Sequence, residues 1–245
     1  MVWALLTGSA PLPMAQAFVP VALSPSGYGA TSALPRRGRI GHCDVVLLAR
    51  HGEPHRIAPH LINYRANVDT LCGLGVEGII ALTTVGGITP RAPTGRICLP
   101  HQLIDYSWGR AHTFSDPEVL LHADFAQPFD EGLRQRLIAA AAAASVPLET
   151  NAVYGCTQGP RFETAAEIER MARDGCDLVG MTAMPEAALA RERGVPYAVL
   201  SLVVNPAAGR AADPFDLAAI GRVSAAGTVQ IEQLLRAFFE GGVAG

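Results

Sequence analysis

Five short and almost continuous apolar runs divide the chain. They are VWALL (2–6), VVLLA (45–49), GIIALTT (78–84), DLVGMT (177–182) and YAVLSLVV (197–204). Each predicts a strand that is buried on both faces, because its length and β-branched content are typical of such strands. Glycine and proline residues that commonly end helices help to predict helices between and after these runs, at 64–74, 130–145, 163–174, 185–193 and 215–239.

The alternation of strands and helices favours an α/β fold. We expect a twisted mixed, largely parallel sheet that is flanked by helices. Residues 22–40 are rich in proline, serine and glycine, so we expect them to form a loop. The chain shows no repeat and no boundary, which predicts a single domain over residues 1–245.

Composition excludes several classes of function. The net charge is −3, so nothing indicates a general attraction to nucleic acid or to an acidic membrane surface. The apolar start resembles a signal peptide but has no basic residue before Arg36, and no apolar run is long enough to span a bilayer. The five cysteines include no CxxC pair, which favours reduced thiols and a cytoplasmic protein.

Polar residues follow the ends of the predicted strands. In parallel α/β sheets, ligands bind beyond the carboxyl ends of the strands, so these residues are the first candidates for a site. They are Ser9, Arg50, His51, Thr84, Thr182 and Asn205. Hydroxyl groups next to glycine, as in TTVGG, are also typical of anion cradles, although the GK[ST] ending of a P-loop is missing.

The segment ARHGEPHRIAPH (49–60) contains three histidines between arginines. A metal site would need the histidines to converge on one point, and Pro54 and Pro59 interrupt the helix that could achieve this. No metal is therefore expected. Arg50 and His51 suit an anion clamp, while an arginine–carboxylate pair at the sheet edge explains Arg50 equally well. His55 and His60 are expected in a loop or an interface.

Several long motifs occur in a fixed order: VVLLARHG, INYRAN, TTVGG, GPRFETAAEI, GMTAMPEAALARE and SLVVN. Together they resemble the purine nucleoside phosphorylase and methylthioadenosine phosphorylase family over roughly residues 43–205. The resemblance implies the nucleoside phosphorylase fold and a homotrimer whose active sites lie near the subunit interfaces. It implies an enzyme that needs no cofactor, uses inorganic phosphate as co-substrate, and has a purine nucleoside as its other partner.

The resemblance also assigns roles to individual residues. The phosphate-binding residues would be Ser9, Arg50, His51, Thr84 and Thr182. Met181 would pack under the ribose, Phe162 would line the base and sugar pocket, and His122 would reach into the neighbouring subunit's site. Without the resemblance, each of two residues has a simpler explanation. Glu163 suits the start of a helix, where the dipole favours an acid, and Phe162 suits the core.

Glu163 and Asn205 are expected to select the base. A carboxylate can accept from N1–H of a 6-oxopurine but opposes the lone pair on N1 of adenine. Asn205 would stabilise the charge that develops on the leaving purine, which makes it the expected catalytic residue. Members of the family that prefer adenine have serine and aspartate at these two positions.

The sugar's 5' group is the second determinant of specificity. Phosphorylases that take inosine place a histidine there, and no histidine follows Asn205 in this chain. The apolar Phe215, Leu217 and Ile220 suit a methylthio group, although all three also suit the last helix. The expected reaction is phosphorolysis of methylthioinosine to hypoxanthine and 5-methylthioribose 1-phosphate. The alternatives are an inosine/guanosine phosphorylase, a methylthioadenosine phosphorylase or, with an altered TGSA loop at 7–10, a non-catalytic nucleoside-binding protein.

Overall fold

The computed structural model describes residues 1–10, 12–21, 26–211 and 216–241. Within these ranges the strands are β1 (Val2–Thr7), β2 (Val19–Pro20), β3 (Arg36–Ile40), β4 (Cys43–Ala49), β5 (Ile79–Gly87), β6 (Ile97–Cys98), β7 (Gln102–Asp105), β8 (Leu148–Glu149), β9 (Val153–Cys156), β10 (Leu178–Gly180) and β11 (Tyr197–Pro206). The helices are α1 (Tyr64–Gly73), α2 (Glu131–Ala143), α3 (Ala165–Arg173), α4 (Ala183–Glu192) and α5 (Leu217–Glu240). The five predicted strands and five predicted helices are all present; position 215, the predicted start of the last helix, lies outside the described residues.

All eleven described strands belong to one mixed sheet. Its main path runs β2-β3-β4-β1-β5-β10-β9-β7, and β11, β6 and β8 branch from β5. The predicted mixed, largely parallel sheet is confirmed, because six of the ten strand pairs are parallel. The central strands are buried on both faces: in β1, Trp3 and Leu5 join one core cluster while Ala4 and Leu6 join another.

Helices cover both faces of this sheet. Side chains from α1 and α4 pack in the cluster that contains Leu6, whereas α2 and α5 pack in the cluster that contains Trp3. Side-chain caps begin several of the helices; Thr164 and Glu167, for example, form a capping box at α3. No helix in the described part of the chain is both long and apolar enough to cross a membrane.

The prediction of a loop over residues 22–40 is wrong at its end, where β3 pairs antiparallel with β4. This strand alternates exposed arginine with less exposed positions, so it lacks the apolar run that marked the central strands. Gly38 allows the Phe18 ring to lie against the strand, because a Cβ here would sit 2.2 Å from that ring. Such an edge strand depends on tertiary contact rather than on its own sequence pattern.

The branching of the sheet at β5 creates an opening. On one edge β5 pairs with β11 along nearly its whole length. On the other edge it pairs with β1 only as far as Ala81, and with β10 only at Gly86 and Gly87. The backbone of residues 82–85 therefore lies between two diverging strands, at the carboxyl ends of β1 and β5.

Candidate active site

A cavity of about 1190 Å³ lies at this opening. It exceeds the usual volume of small-molecule pockets, about 300–1,000 Å³, so it has room for two substrates at once. The structure brings together most of the predicted site residues in its lining: Ser9, His51, Thr84, Phe162, Glu163, Met181, Thr182, Asn205, Leu217 and Ile220. They come from strand ends, from the segment before α3 and from the start of α5, which are far apart in sequence and meet in the folded chain.

Four of these residues form what we call the polar wall: Ser9, His51, Thr84 and Thr182. Ser9 is exposed in the turn after β1, and Thr84 is half-buried in β5. Thr182 is 6% exposed and follows β10, and its hydroxyl makes no capping bond to α4. Gly8 lies in the same wall, where a Cβ would come within 2.8 Å of the Leu82 carbonyl oxygen. The wall thus offers hydroxyl groups on closely packed backbone, an arrangement that suits an anion.

His51 is a neutral member of the polar wall. Its Nδ1 donates to the backbone carbonyl of Ile57 at 2.8 Å, which leaves Nε2 as an acceptor. Burial and the neighbouring Arg50 charge lower the pKa of His51 to about 4. A neutral His51 therefore offers an anion no free N–H donor from its ring. Its Nε2 can instead accept a hydrogen bond from a protonated anion such as hydrogen phosphate.

Arg50 lies behind the polar wall rather than in the cavity lining. It is fully buried, and Nε and Nη2 contact the Glu186 carboxylate at 2.5 and 2.9 Å. Nη1 and Nη2 also donate to the carbonyls of Leu82 and Leu6. Burial by itself lowers the pKa of Arg50, but the Glu186 carboxylate outweighs it and the pKa ends above its ordinary value.

The arginine–carboxylate pair that the sequence left open is therefore what the structure contains. Four of the five N–H groups of Arg50 already have acceptors, which leaves one on Nη1. That nitrogen would lie 3.2 Å from a Cβ on Gly8, immediately beneath the wall. The predicted role of Arg50 as a phosphate ligand is thus limited to one donor, with its charge balanced by Glu186.

Glu163 and Asn205 face the cavity with their polar groups already oriented. The Thr157 hydroxyl donates to Glu163 Oε1 at 2.6 Å, and Nδ2 of Asn205 donates to the Pro206 carbonyl at 2.7 Å. Glu163 precedes the N-cap Thr164, so it is not the first-turn acid that its position suggested; Glu167 is. A carboxylate fixed in this way presents an acceptor to the cavity.

The outer wall of the cavity consists of Phe162, Leu217 and Ile220. Phe162 is 58% exposed and Leu217 is 71% exposed, whereas Ile220 is half-buried. The alternative in which Phe162 is a core residue is therefore wrong for this chain. The outer wall is apolar and open, in contrast to the polar wall.

Comparison with known proteins agrees with this geometry. Residues 28–240 match the phosphorylase superfamily. The chain belongs to that superfamily.

Three relatives of this phosphorylase bear on its specificity. A probable S-methyl-5'-thioinosine phosphorylase from Pseudomonas syringae pv. tomato is 53% identical over 195 residues, 79% of each chain. A 6-oxopurine nucleoside phosphorylase from Pyrococcus furiosus is 45% identical over 179 residues, 70% of this chain and 68% of the relative. The structure of methylthioadenosine phosphorylase from Schistosoma mansoni with adenine superimposes with a TM-score of 0.89 at 28% identity, covering 98% of this chain and 91% of that one. The phosphorylase has the predicted nucleoside phosphorylase fold.

Besides Arg50, one described residue that was predicted for the site, His122, does not line the cavity. His122 is exposed in a loop outside the lining, so its predicted role requires a second copy of the phosphorylase. Phe215 lies outside the described residues. His55 stacks on His51 with ring centroids 4.5 Å apart, and His60 is exposed in a short 3-10 turn, Pro59–Leu61. Among the described residues, no three His, Cys, Asp or Glu side chains are grouped as a metal site would require.

Two polar residues that line the cavity were not predicted from the sequence. Asp216 caps α5 by accepting from the backbone N–H of Ala218, and Thr94 reaches the cavity from the loop before β6. The aspartate stands just before the first residue of α5, Leu217, so its N-cap residue type could have identified it. Thr94 follows a proline-rich turn rather than a strand, so the search beyond strand ends did not include it.

Proposed function

We propose that this phosphorylase cleaves S-methyl-5'-thioinosine with phosphate, giving hypoxanthine and 5-methylthioribose 1-phosphate. The observation that carries the proposal is one cavity that combines a hydroxyl-bearing polar wall, a fixed carboxylate and amide, and an apolar outer wall. These three features match the three parts of the reaction: an anion, a 6-oxopurine and a methylthio sugar. The relative from Pseudomonas syringae that bears this activity's name supports the same choice.

The base would be recognised by Glu163 and Asn205. Because the Thr157 hydroxyl donates to Glu163, the carboxylate is held as an acceptor for N1–H of hypoxanthine. Adenine would place its N1 lone pair against that carboxylate, and an unpaired buried polar group costs about 1–3 kcal/mol. With one N–H of Asn205 bound to Pro206, its Oδ1 would accept from N7–H of the base and its other N–H would donate to O6.

The enzyme would accelerate bond cleavage mainly by stabilising the negative charge that develops on the purine and the positive charge that develops on the sugar. As the C1'–N9 bond breaks, its electron pair moves to the purine, and Asn205 stabilises that charge through the base. Phosphate on the polar wall attacks C1' with inversion, and its oxygen forms the new bond. Thr84 and Thr182 would donate hydrogen bonds to the phosphate, and the neutral Nε2 of His51 would accept a hydrogen bond from its P–OH group without taking the proton. A proton from solvent would neutralise the released purine. Met181 would pack against the sugar between the two groups.

The outer wall would receive the methylthio group. Phe162 and Leu217 are largely exposed in the single chain, and we propose that a homotrimer covers them, with His122 contributed by the neighbouring subunit. The reaction is redox-neutral and transfers a sugar to phosphate, so we propose that it needs no cofactor. The five free cysteines suit the cytoplasm, where we propose the enzyme acts.

The deciding experiment compares phosphorolysis of methylthioinosine, methylthioadenosine and inosine, each with and without phosphate. We expect methylthioinosine to have the highest kcat/KM and cleavage to require phosphate. Highest activity on methylthioadenosine would refute the base assignment, and cleavage without phosphate would indicate a hydrolase. Binding without any cleavage would support a non-catalytic nucleoside-binding protein.

One observation favours inosine as a second candidate substrate. The Asp216 carboxylate lies in the lining beside Leu217, where it could accept from a 5'-hydroxyl. The Pyrococcus furiosus relative is named for 6-oxopurine nucleosides. If this candidate is correct, Asp216→Asn should reduce activity on inosine more than activity on methylthioinosine.

A further inference from the structure

Arg110 is a second buried arginine next to the cavity, and it does not belong to the lining. It follows β7 and is 8% exposed. No carboxylate of the described residues forms an ion pair with it. A buried charge is costly unless hydrogen bonds compensate it, so its contacts must satisfy the whole guanidinium group.

Those contacts join two separate segments of the site. Nη2 donates to the carbonyls of Thr157 and Gln158 at 3.1 and 2.8 Å, and Nε donates to Gln158 Oε1 at 3.1 Å. Nη1 donates to the Met181 carbonyl at 2.9 Å and to the Met184 carbonyl. The first segment leads to the base-binding residues, and the second contains the sugar- and phosphate-binding ones.

Each segment continues directly into the cavity. The Thr157 hydroxyl donates to Glu163 Oε1, so the residue whose carbonyl is held by Arg110 also orients the proposed base ligand. Thr182 lies between the two carbonyls that accept from Nη1. The guanidinium itself lies over the Tyr64 ring at 5.4 Å, and Nη1 contacts the Tyr64 hydroxyl, so α1 fixes its position.

We propose that Arg110 is a positioning residue that sets the distance between the base site and the phosphate site. Its planar fork offers donors in fixed directions, which a lysine ammonium on a flexible stem cannot reproduce across two segments. The inference rests on the proposed function, because it needs Glu163 and Thr182 to contact the two substrates. Arg110 touches neither substrate and acts only through these residues.

The test is Arg110→Lys, with Arg134→Lys as the matched control. Arg134 is also buried and donates to the backbone carbonyls of Pro100 and Thr150, but it lies away from the cavity. Both changes should lower the thermal midpoint. Only Arg110→Lys should raise the KM of phosphate and of methylthioinosine together, about 10-fold each, and reduce the preference for methylthioinosine over methylthioadenosine about 10-fold.

Unchanged preference and KM values in folded Arg110→Lys would overturn the proposal, as would the same losses in Arg134→Lys. If Arg110→Lys does not fold, Gln158→Met removes the side-chain acceptor that Nε shares with the Trp108 backbone N–H and leaves the backbone acceptors of Arg110 in place. That variant should weaken the base preference about 3-fold with little change in phosphate KM, because it loosens one segment alone; no change in preference would equally refute the role. Failure of the proposed function is separate, since it would appear as missing phosphate-dependent cleavage in the unmodified enzyme.

Discussion

The polar wall and the outer wall of the cavity are built differently. His51 and Thr182 in the polar wall are 7% and 6% exposed, and they follow β4 and β10 directly. Phe162 and Leu217 in the outer wall are 58% and 71% exposed and lie beside helix starts. Folding of the single chain therefore buries these two members of the polar wall, while these two members of the outer wall stay largely exposed in it.

The largest loss of stability should come from removing Glu186, the partner of Arg50 beneath the polar wall. Glu186→Ala leaves the fully buried Arg50 without its carboxylate, and Tyr197 loses the acceptor of its hydroxyl. Breaking a buried ion pair in this way costs about 3–5 kcal/mol. Urea unfolding should therefore show a reduction of that size in the free energy of unfolding.

The control for this variant is Glu53→Ala, which removes an exposed partner of Arg36. An exposed ion pair contributes only about 0–1 kcal/mol. Equal losses in the two variants would contradict the view that the Arg50 pair anchors the polar wall.

The second-largest loss of stability should come from acidification, through His51 in the polar wall. The pKa of His51 is about 4 in the folded protein against an ordinary value of 6.5, so the unfolded chain binds the proton more readily. Stability from this residue is fully present above pH 6.5 and is lost as the pH falls towards 4. The loss should total about 3 kcal/mol, at 1.36 kcal/mol per pKa unit.

Denaturation followed at several pH values between 7 and 4 measures this loss. His51→Gln, which keeps an amide able to bond Ile57, should flatten the curve in that interval. A variant that retained the full slope would show that other groups cause it. Exposed His60 provides the control, and His60→Gln should leave the slope unchanged.

Loss of one hydroxyl should have a smaller and more specific effect. Thr182→Val keeps the shape of the side chain but removes a proposed phosphate donor. A hydrogen bond to a charged group contributes about 1.5–3 kcal/mol, so the phosphate KM should rise about 10- to 100-fold. The KM of methylthioinosine should change little.

The matched control is Thr228→Val, because the Thr228 hydroxyl is also buried and donates to the Ser224 carbonyl within α5. Steady-state kinetics with phosphate varied at saturating nucleoside measures both variants. If Thr182→Val leaves the phosphate KM within twofold of the original value, Thr182 does not bind phosphate.

The two walls also differ in how far the sequence predicts them. His51 follows the apolar run of β4 and Thr84 ends that of β5, and both strands run parallel to β1, which brings such positions to one edge of the sheet. Thr182 also stands at the end of an apolar run, but β10 is antiparallel to β5, so its place depends on the branching of the sheet. The sequence did not reveal that Arg50 would turn beneath the wall, because its partner Glu186 is 136 residues away. Thr94 and β3 were missed for a related reason: their positions depend on tertiary contacts that no local pattern records.

The smallest effect in the isolated chain should come from the outer wall, at Leu217. A side chain that is 71% exposed contributes little to folding, so Leu217→Ser should change the free energy of unfolding by less than about 0.5 kcal/mol. If a neighbouring subunit and the methylthio group cover this position, the same change should raise the KM of methylthioinosine about 10-fold, since burying a leucine side chain contributes about 1.5–3 kcal/mol. The KM of phosphate should stay constant, which is the reverse of the Thr182→Val result.

Exposed Val229 on the same helix gives the control, and Val229→Ser should alter neither constant. A Leu217→Ser enzyme with unchanged nucleoside KM would show that the outer wall does not hold the 5' group, and the assignment of methylthioinosine would then rest on the base alone.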